Sequence, residues 1–454
     1  MKKVFVLLTA VLMSAGMMAE DHVLAAAKSV KTERGDVPAS LSLNLEEAQN
    51  YAVQQNRSLK NASLAVQEAY AQRWQTIAAM LPQVDGSYSY SNYCGYTATM
   101  SMPTGLPEPN DTKTIDINMP NVGAIGVTAS IGINGQGIVG ALLNNIAIDM
   151  KKISLEKSES ELRGNVLASY VSVLALQSIT NLLDSSLLNI MELEQITQNA
   201  VNAGAAEQTS ADQIRVRVNT MKNNINVQKR SIELATNSLK VLLDVPVETE
   251  LVLTEDLATI LSPERVITLL SENFAIENNL NYQLLQKQVE LAKRNVHMAG
   301  WAYGPTVSLA YSYSNQNYYG EGGMRMTPPN VIQATVRMPL WSSGKRAAGV
   351  VEKKIALEEA KNTLSETTDN LEIQYRQLCY NLTSTYETYL NEKDNIDVAQ
   401  RVFASATNKY KYGASSNLEL TNASNDLINA QSTYVQAILS LVNAQVELEK
   451  FLNN

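Results

Sequence analysis

The sequence predicts an α+β membrane protein made of two tandem structural repeats. Its fold is a long antiparallel coiled-coil α-helical barrel plus four transmembrane β-strands per protomer, completed as a 12-stranded barrel in a trimer. Three observations carry the prediction. The chain is one unit written twice, each unit holds two strands of strict two-residue alternation, and each holds one helix far longer than a globular domain uses.

The first element is a leader. Lys2 and Lys3 precede an apolar run from Val4 to Leu12, small residues follow at Ser14, Ala15 and Gly16, and Ala19 stands before Glu20 and Asp21. That is the order of a secretory signal peptide, read over residues 1–19. The run is shorter than the roughly 20 apolar residues a bilayer requires. No cysteine follows it, so no N-terminal lipid anchor is expected. Two lysines and no acid leave with the leader, which takes the net charge from −9 to −11. Residues 20–43 read as an N-terminal periplasmic segment. Beyond the leader no stretch reads as a transmembrane helix: Val166 to Leu176 is nearly apolar but only 11 residues long and holds Ser169, Tyr170 and Ser172. An exported chain of this kind enters a membrane only by strands in a closed barrel, because lipid leaves no backbone group unpaired.

The duplication is direct. At an offset of 223, Asn56 meets Asn279, Pro82 meets Pro305, and Tyr88-Ser-Tyr-Ser-Asn92 meets Tyr311-Ser-Tyr-Ser-Asn315. At an offset of 209, Asn121-Val122 meets Asn330-Val331, Gly135 meets Gly344, and Gly204-Ala205 meets Gly413-Ala414. The drop of 14 in the offset places a loop 14 residues longer in the first copy, between residues 92 and 121. The repeats span residues 44–244 and 262–454, joined by a linker at 245–261.

Each copy reads helix, strand, loop, strand, long helix, turn, helix. The first helix opens at Asn44 with Glu47 three residues on, and its counterpart at Ser262-Pro263. Pro82 and Pro305 stop these helices. Strands are expected over 83–96, 121–134, 305–319 and 330–342. In each, Val, Ile, Leu and Tyr alternate with Ser, Thr, Gly and Gln, which fits one apolar and one polar face. The long helices run from about Gln136 to Ala203 and from Lys345 to Tyr412, each about 100 Å by helical rise. Leu357, Leu364, Leu371 and Leu378 form one stripe at seven-residue spacing, and Tyr375, Leu382, Tyr389, Ile396, Phe403 and Tyr410 a second. A sustained period of seven means left-handed coiled packing.

Geometry then demands oligomerisation. Four strands cannot close a barrel, since single-chain barrels start at about eight, whereas three chains supply twelve. Composition removes other classes. Two cysteines and two histidines cannot form a zinc cluster, an iron–sulfur site or a disulfide scaffold. A net charge of −9 excludes a basic nucleic-acid face. No nucleophile–base pair, metal-ligand cluster or phosphate loop stands out, so neither an enzyme nor a cofactor is expected. Tyr 20 against Phe 4 suits rings with one wet end at membrane–water boundaries and helix seams.

Several segments resemble the TolC-like outer-membrane efflux proteins. They are Leu43-Asn-Leu-Glu-Glu-Ala48 with Asn56, Ala79-Met-Leu-Pro82 before a Tyr/Ser strand, Met338-Pro-Leu-Trp-Ser-Ser-Gly-Lys345 before the long helix, and Tyr410-Lys-Tyr-Gly413 with Ala430-Gln431 and Ala444. The resemblance implies a homotrimeric channel-tunnel in the outer membrane with a periplasmic helical domain. It would work with a periplasmic adaptor protein and an inner-membrane pump, exporting drugs, metals or polypeptides. It also implies a periplasmic gate, carried here by Glu419 and Tyr410, with Asn422 at the next acidic position, Ser415 at the usual arginine, and Asp212 nearby in copy one. The tip turns at Gly204, Ala205, Gly413 and Ala414 are the expected adaptor contacts, and glycine there supplies a left-handed backbone.

Met100 with Met102, and Met324 with Met326, are read as parts of extracellular loops, although thioethers suit copper(I). His297 is read as a helix-face residue, and a Cys94–Cys379 disulfide is not expected. The competing reading is a structural periplasmic coiled coil or adhesin without a pore. Four strands with alternating faces argue against it.

Overall fold

A computed structural model describes residues 39–103, 112–204, 206–257, 263–272, 274–319 and 328–452. The leader, most of the 20–43 segment, Ala205, Met324 and Met326 lie outside the described residues. The elements in chain order are β1 (Ser40–Leu43), α1 (Leu45–Gln55), α2 (Arg57–Ala78), β2 (Gln83–Ser91), β3 (Thr97–Pro103), β4 (Thr112–Asn118), β5 (Asn121–Asn134), α3 (Gly135–Asn202) and α4 (Gln208–Leu243). There follow β6 (Glu250–Leu253), α5 (Pro263–Ser271), α6 (Leu280–Gly300), β7 (Thr306–Tyr319), β8 (Asn330–Arg337), α7 (Lys345–Lys411) and α8 (Asn417–Leu452). The described chain is mostly helical, and α3 and α7 run for 68 and 67 residues. The compact units do not coincide with the sequence halves. One gathers residues 67–149 and 288–360, and the other the described parts of 32–66, 150–287 and 361–454.

The first unit holds a four-stranded antiparallel sheet in the order β2-β5-β7-β8. The strand expected over 83–96 ends at Ser91, because Asn92 turns the chain: its side chain accepts from the Cys94 N–H at 2.8 Å, and Cys94 and Gly95 adopt positive φ. The longer loop of copy one is partly a hairpin, with β3 and β4 paired and Thr99 donating to Asp116 at 3.0 Å. The strand expected over 330–342 ends at Arg337. Pro339 has no N–H to give a ladder, and Ser343 and Gly344 take positive φ before α7 begins. Arg346 fixes that corner: it donates to the Pro339 carbonyl and to Ser342 Oγ, and lies 5.0 Å over the Tyr303 ring.

The second unit holds the helical core. One cluster joins Leu43, Ala48, Val166, Tyr170, Leu239, Leu382, Leu441 and Leu448, and another joins Ile190, Leu193, Ile214, Val218, Phe403, Leu420 and Leu427. Among the described residues, α3 is a helix apolar enough in length and composition to cross a membrane. Packing accounts for its composition, since Val166, Leu167, Tyr170, Val171, Val173, Leu174 and Ala175 are all buried core residues. Along the α3–α8 seam Gln431 Nε2 donates to Ser186 Oγ at 2.7 Å, with both residues buried. Tyr389 and Tyr434 stack at 5.9 Å, and burial pushes the Tyr434 hydroxyl far above the usual phenol range.

The helix expected from Leu45 to Leu81 is broken at Asn56, and the one from Pro263 to Tyr303 is broken before Leu280. Asn56 Oδ1 accepts from the N–H groups of Ser58 and Leu59, and its Nδ2 donates to the Leu242 carbonyl at 2.9 Å. Asn279 caps Asn281 and Tyr282 in the same way, but its buried Nδ2 has no partner among the described residues. Asn56→Ala should therefore cost more stability than Asn279→Ala, about 1–2 kcal/mol against less than about 1. Thermal unfolding followed by circular dichroism in detergent checks the order of the two. Equal losses would mean that the Leu242 bond contributes nothing.

A parallel pair, β1 with β6, was not expected from the sequence. It joins the end of the N-terminal segment to the linker, and Tyr170 locks it. The Tyr170 hydroxyl donates to the Leu43 carbonyl at 3.0 Å and accepts from the Glu255 N–H at 3.4 Å, with the ring fully buried.

Candidate functional site: sheet faces and helix tips

Directly opposite residues of an antiparallel pair share a face, so register decides what each face carries. Val84 meets Ala129, Ala129 meets Tyr311, and Tyr311 meets Ile332. Gly86, Val127 and Tyr313 form the next row, and Ile133, Val307 and Val336 another. That face is mostly apolar, with Asn121, Asn315, Asn317 and Asn330 joining it toward the N-terminal end of β5, and within the chain it is uncovered: Val84, Ile332 and Val336 are 52%, 75% and 70% exposed. The other face has Asp85, Thr128 and Ser312 in one row, with Thr128 and Ser312 hydroxyls 3.4 Å apart, and Ser308 opposite Thr335 in another. β2 and β8 each have one neighbour, so among the described residues both edges of the sheet are open.

The helix tips are built by glycine. Gly413 takes φ +70°; its N–H donates to the Tyr410 carbonyl at 3.0 Å and the Ala414 N–H to Lys409 at 2.8 Å. These paired bonds close the end of α7 in a left-handed turn. Gly204 does the same service after α3 at φ +75°, its N–H donating to Val201 at 2.9 Å. Ala205 lies outside the described residues.

Glu419 sits in the first turn of α8, where the helix dipole favours an acid. Its N–H donates to Ser416 Oγ at 3.1 Å, its carboxylate accepts from Ser415 Oγ at 2.8 Å, and Lys409 Nζ lies 3.7 Å away. Ser415, at the family's arginine position, thus touches the acid as a neutral donor. Tyr410 is half-buried against the core cluster of Phe403, Ala406 and Leu420. Asn422 is exposed on α8, and Asp212 is exposed on α4, accepting from Gln208 at 3.1 Å. The candidate acids and amide are therefore displayed on helix surfaces, while the tyrosine is held by packing.

Three basic groups near the tips escaped sequence reading. Lys411 donates to Glu192 at 2.7 Å, tying α7 to α3, and Lys409 faces Glu419. Arg217 donates from α4 to the Thr421 carbonyl of α8 at 3.1 Å, and burial holds its guanidinium below the usual arginine range. A lysine pair flanking Tyr410 was visible in the sequence; the partner across the helices was not.

Comparison with known proteins agrees with this architecture. The sequence profile of the outer membrane efflux protein family matches residues 49–244 and 273–454. The solvent efflux pump outer membrane protein SrpC of Pseudomonas putida is 21% identical over 409 residues, which cover 88% of this chain and 83% of SrpC. The crystal structure of the outer membrane protein VceC from Vibrio cholerae superposes with a TM-score of 0.69 at 15% identity, covering 90% of this chain and 96% of VceC. The crystal structure of CusC superposes with a TM-score of 0.68 at 17% identity, covering 93% of this chain and 95% of CusC. The chain belongs to the outer membrane efflux protein family.

Proposed function

We propose that three copies of this chain close one 12-stranded barrel in the outer membrane and continue it as an α-helical barrel through the periplasm. The chain is an outer-membrane efflux channel. On this reading it takes its cargo, small molecules or polypeptides, from an inner-membrane pump through a periplasmic adaptor that grips the tips at Gly204, Ala205, Gly413 and Ala414. The observation that carries the reading is the sheet: one mostly apolar face, one mostly polar face and two edges open among the described residues. An apolar face needs lipid, a polar face needs water, and open edges need partner strands. The tandem-repeat reading is supported by the matched junctions at Asn56 and Asn279 and the matched glycine turns. Energy comes from the partner pump.

Reconstitution in planar bilayers tests the channel. Discrete single-channel current steps are expected, and a pure protein that never conducts overturns the reading. Three copies of Glu419, with Tyr410 packed behind the tip and Asn422 and Asp212 beside it, would focus a negative field at the periplasmic gate. Glu419→Ala should therefore weaken block of the current by divalent cations; unchanged block removes Glu419 from the gate.

A further inference from the structure

We propose that the end of the sheet remote from the helices holds a binding surface for the amino-sugar headgroup of an outer-leaflet glycolipid, built from tyrosine rings and asparagine amides. The inference rests on the reading that the mostly apolar face of the sheet meets lipid. It adds which lipid chemistry the outer end of that face selects.

The rows of that face change character along the strands. At the end that leads into α3 and α7 they are aliphatic: Ile133, Val307 and Val336 form one row, and Ile131, Leu309 and Ala334 the next. At the other end, where residues 92–120 and 320–329 join the strands, three successive rows each combine a tyrosine with an asparagine. Asn121 pairs with Tyr319, Gly123 stands between Tyr90 and Asn317, and Ile125 stands between Tyr88 and Asn315. Tyr88, Tyr90 and Tyr319 are 69%, 53% and 54% exposed.

Gly123 gives this end its shape. A Cβ there would stand 3.1 Å from Tyr319 Cε2 and 3.3 Å from the Tyr319 hydroxyl, so the ring lies across the glycine. The Tyr90 ring is 6.1 Å away, centroid to centroid, and tilted by 59°. The two rings make a shallow platform with Asn317 in the same row.

Chemistry selects the occupant. Acyl chains offer no hydrogen bond, so amides facing them would lose their water without replacement, at a cost of about 1–3 kcal/mol each. Bulk water alone gives the rings no apolar surface to cover. A pyranose meets both needs. Its C–H face stacks on a ring, and its hydroxyl and amide groups exchange hydrogen bonds with asparagine, which both donates and accepts. A headgroup gripped by its phosphate would call for arginine or lysine. The four strands of the sheet carry two charged residues, Asp85 and Arg337, and both lie on the other face near the helix end. The recognised groups are therefore sugar and amide, not phosphate. Height agrees. With Val127 near the bilayer midplane and strands tilted by about 40°, Gly123 and Asn121 stand about 10 and 15 Å above it, straddling the border of an apolar band about 25 Å tall.

Native mass spectrometry of the protein in mild detergent tests the surface. The probes are lipid A, lipid A stripped of its phosphates, and phosphatidylglycerol. Both forms of lipid A should be retained at concentrations at least about fivefold below phosphatidylglycerol, the effect of about one net hydrogen bond. Asn317→Leu and Tyr319→Leu should each remove most of that preference, and either one serves if the other fails to insert. Tyr319→Phe keeps the ring and should keep the preference. Trp341→Leu, at the helix end and 86% exposed in the native chain, should leave it unchanged. Equal retention of lipid A and phosphatidylglycerol overturns the surface, as does loss of retention with the phosphates or a preference unchanged in both Leu variants. If the same preparation conducts, those results leave the channel reading standing. A preparation that never conducts overturns that reading and the surface with it.

Discussion

Val127→Arg should remove the assembled channel from the outer membrane, whereas Thr128→Arg, one residue away, should leave it assembled with altered conduction. The two residues occupy the middle of β5, a 14-residue strand paired on both sides. Val127 shares its row with Gly86 and Tyr313 on the apolar face, and Thr128 shares its row with Asp85 and Ser312 on the polar face. An arginine on the lipid face near the bilayer midplane costs about 2–4 kcal/mol per chain, and an assembly of three bears it three times. An arginine in a water-filled lumen keeps its hydration, and its positive charge should lower cation conductance. The amount of chain recovered in outer-membrane fractions, with single-channel currents for whatever assembles, decides between them. Equal loss from both variants would mean that the faces do not divide lipid from water.

The second large effect is expected at Tyr170. Truncation to alanine should destabilise the helical unit by about 3–5 kcal/mol, the range for deleting a fully buried aromatic ring. Tyr170→Phe keeps the ring and removes only the hydroxyl, leaving the Leu43 carbonyl and the Glu255 N–H without it, and should cost about 1–3 kcal/mol. Burial raises the Tyr170 pKa above that of an ordinary phenol, so the hydroxyl keeps its proton and its donor role in neutral and mildly alkaline buffer. Chemical denaturation of the detergent-solubilised protein, followed by far-ultraviolet circular dichroism, measures both losses. A Phe variant as unstable as the Ala variant would place the value of Tyr170 in the hydroxyl alone.

The strands and long helices were legible because their periods are local. Alternation of Val, Ile and Tyr with Ser, Thr and Gly located β5 and β7 almost to the residue, and seven-residue spacing located α7. The β1–β6 pair was not legible. Each strand has four residues, and they pair across about 200 residues of chain through Tyr170, a residue that reads only as one more member of an apolar run. The break at Asn56 was hidden for a related reason, since an asparagine inside a helical pattern is read as neutral until its side chain is seen capping Leu59 and reaching Leu242. At the tips, Gly204 and Gly413 were legible from chirality alone. The environment of Glu419 was not, because Lys409, Ser415 and Ser416 meet it only once the turn has closed.

On the proposed reading, closure of the sheet by identical copies underlies both the channel and the gate. The mass of the protein extracted from outer membranes into a mild detergent, read by native mass spectrometry, tests it most directly. The expected mass is that of three chains, with no stable smaller species. A stable single chain with its β2 and β8 edges open would contradict it.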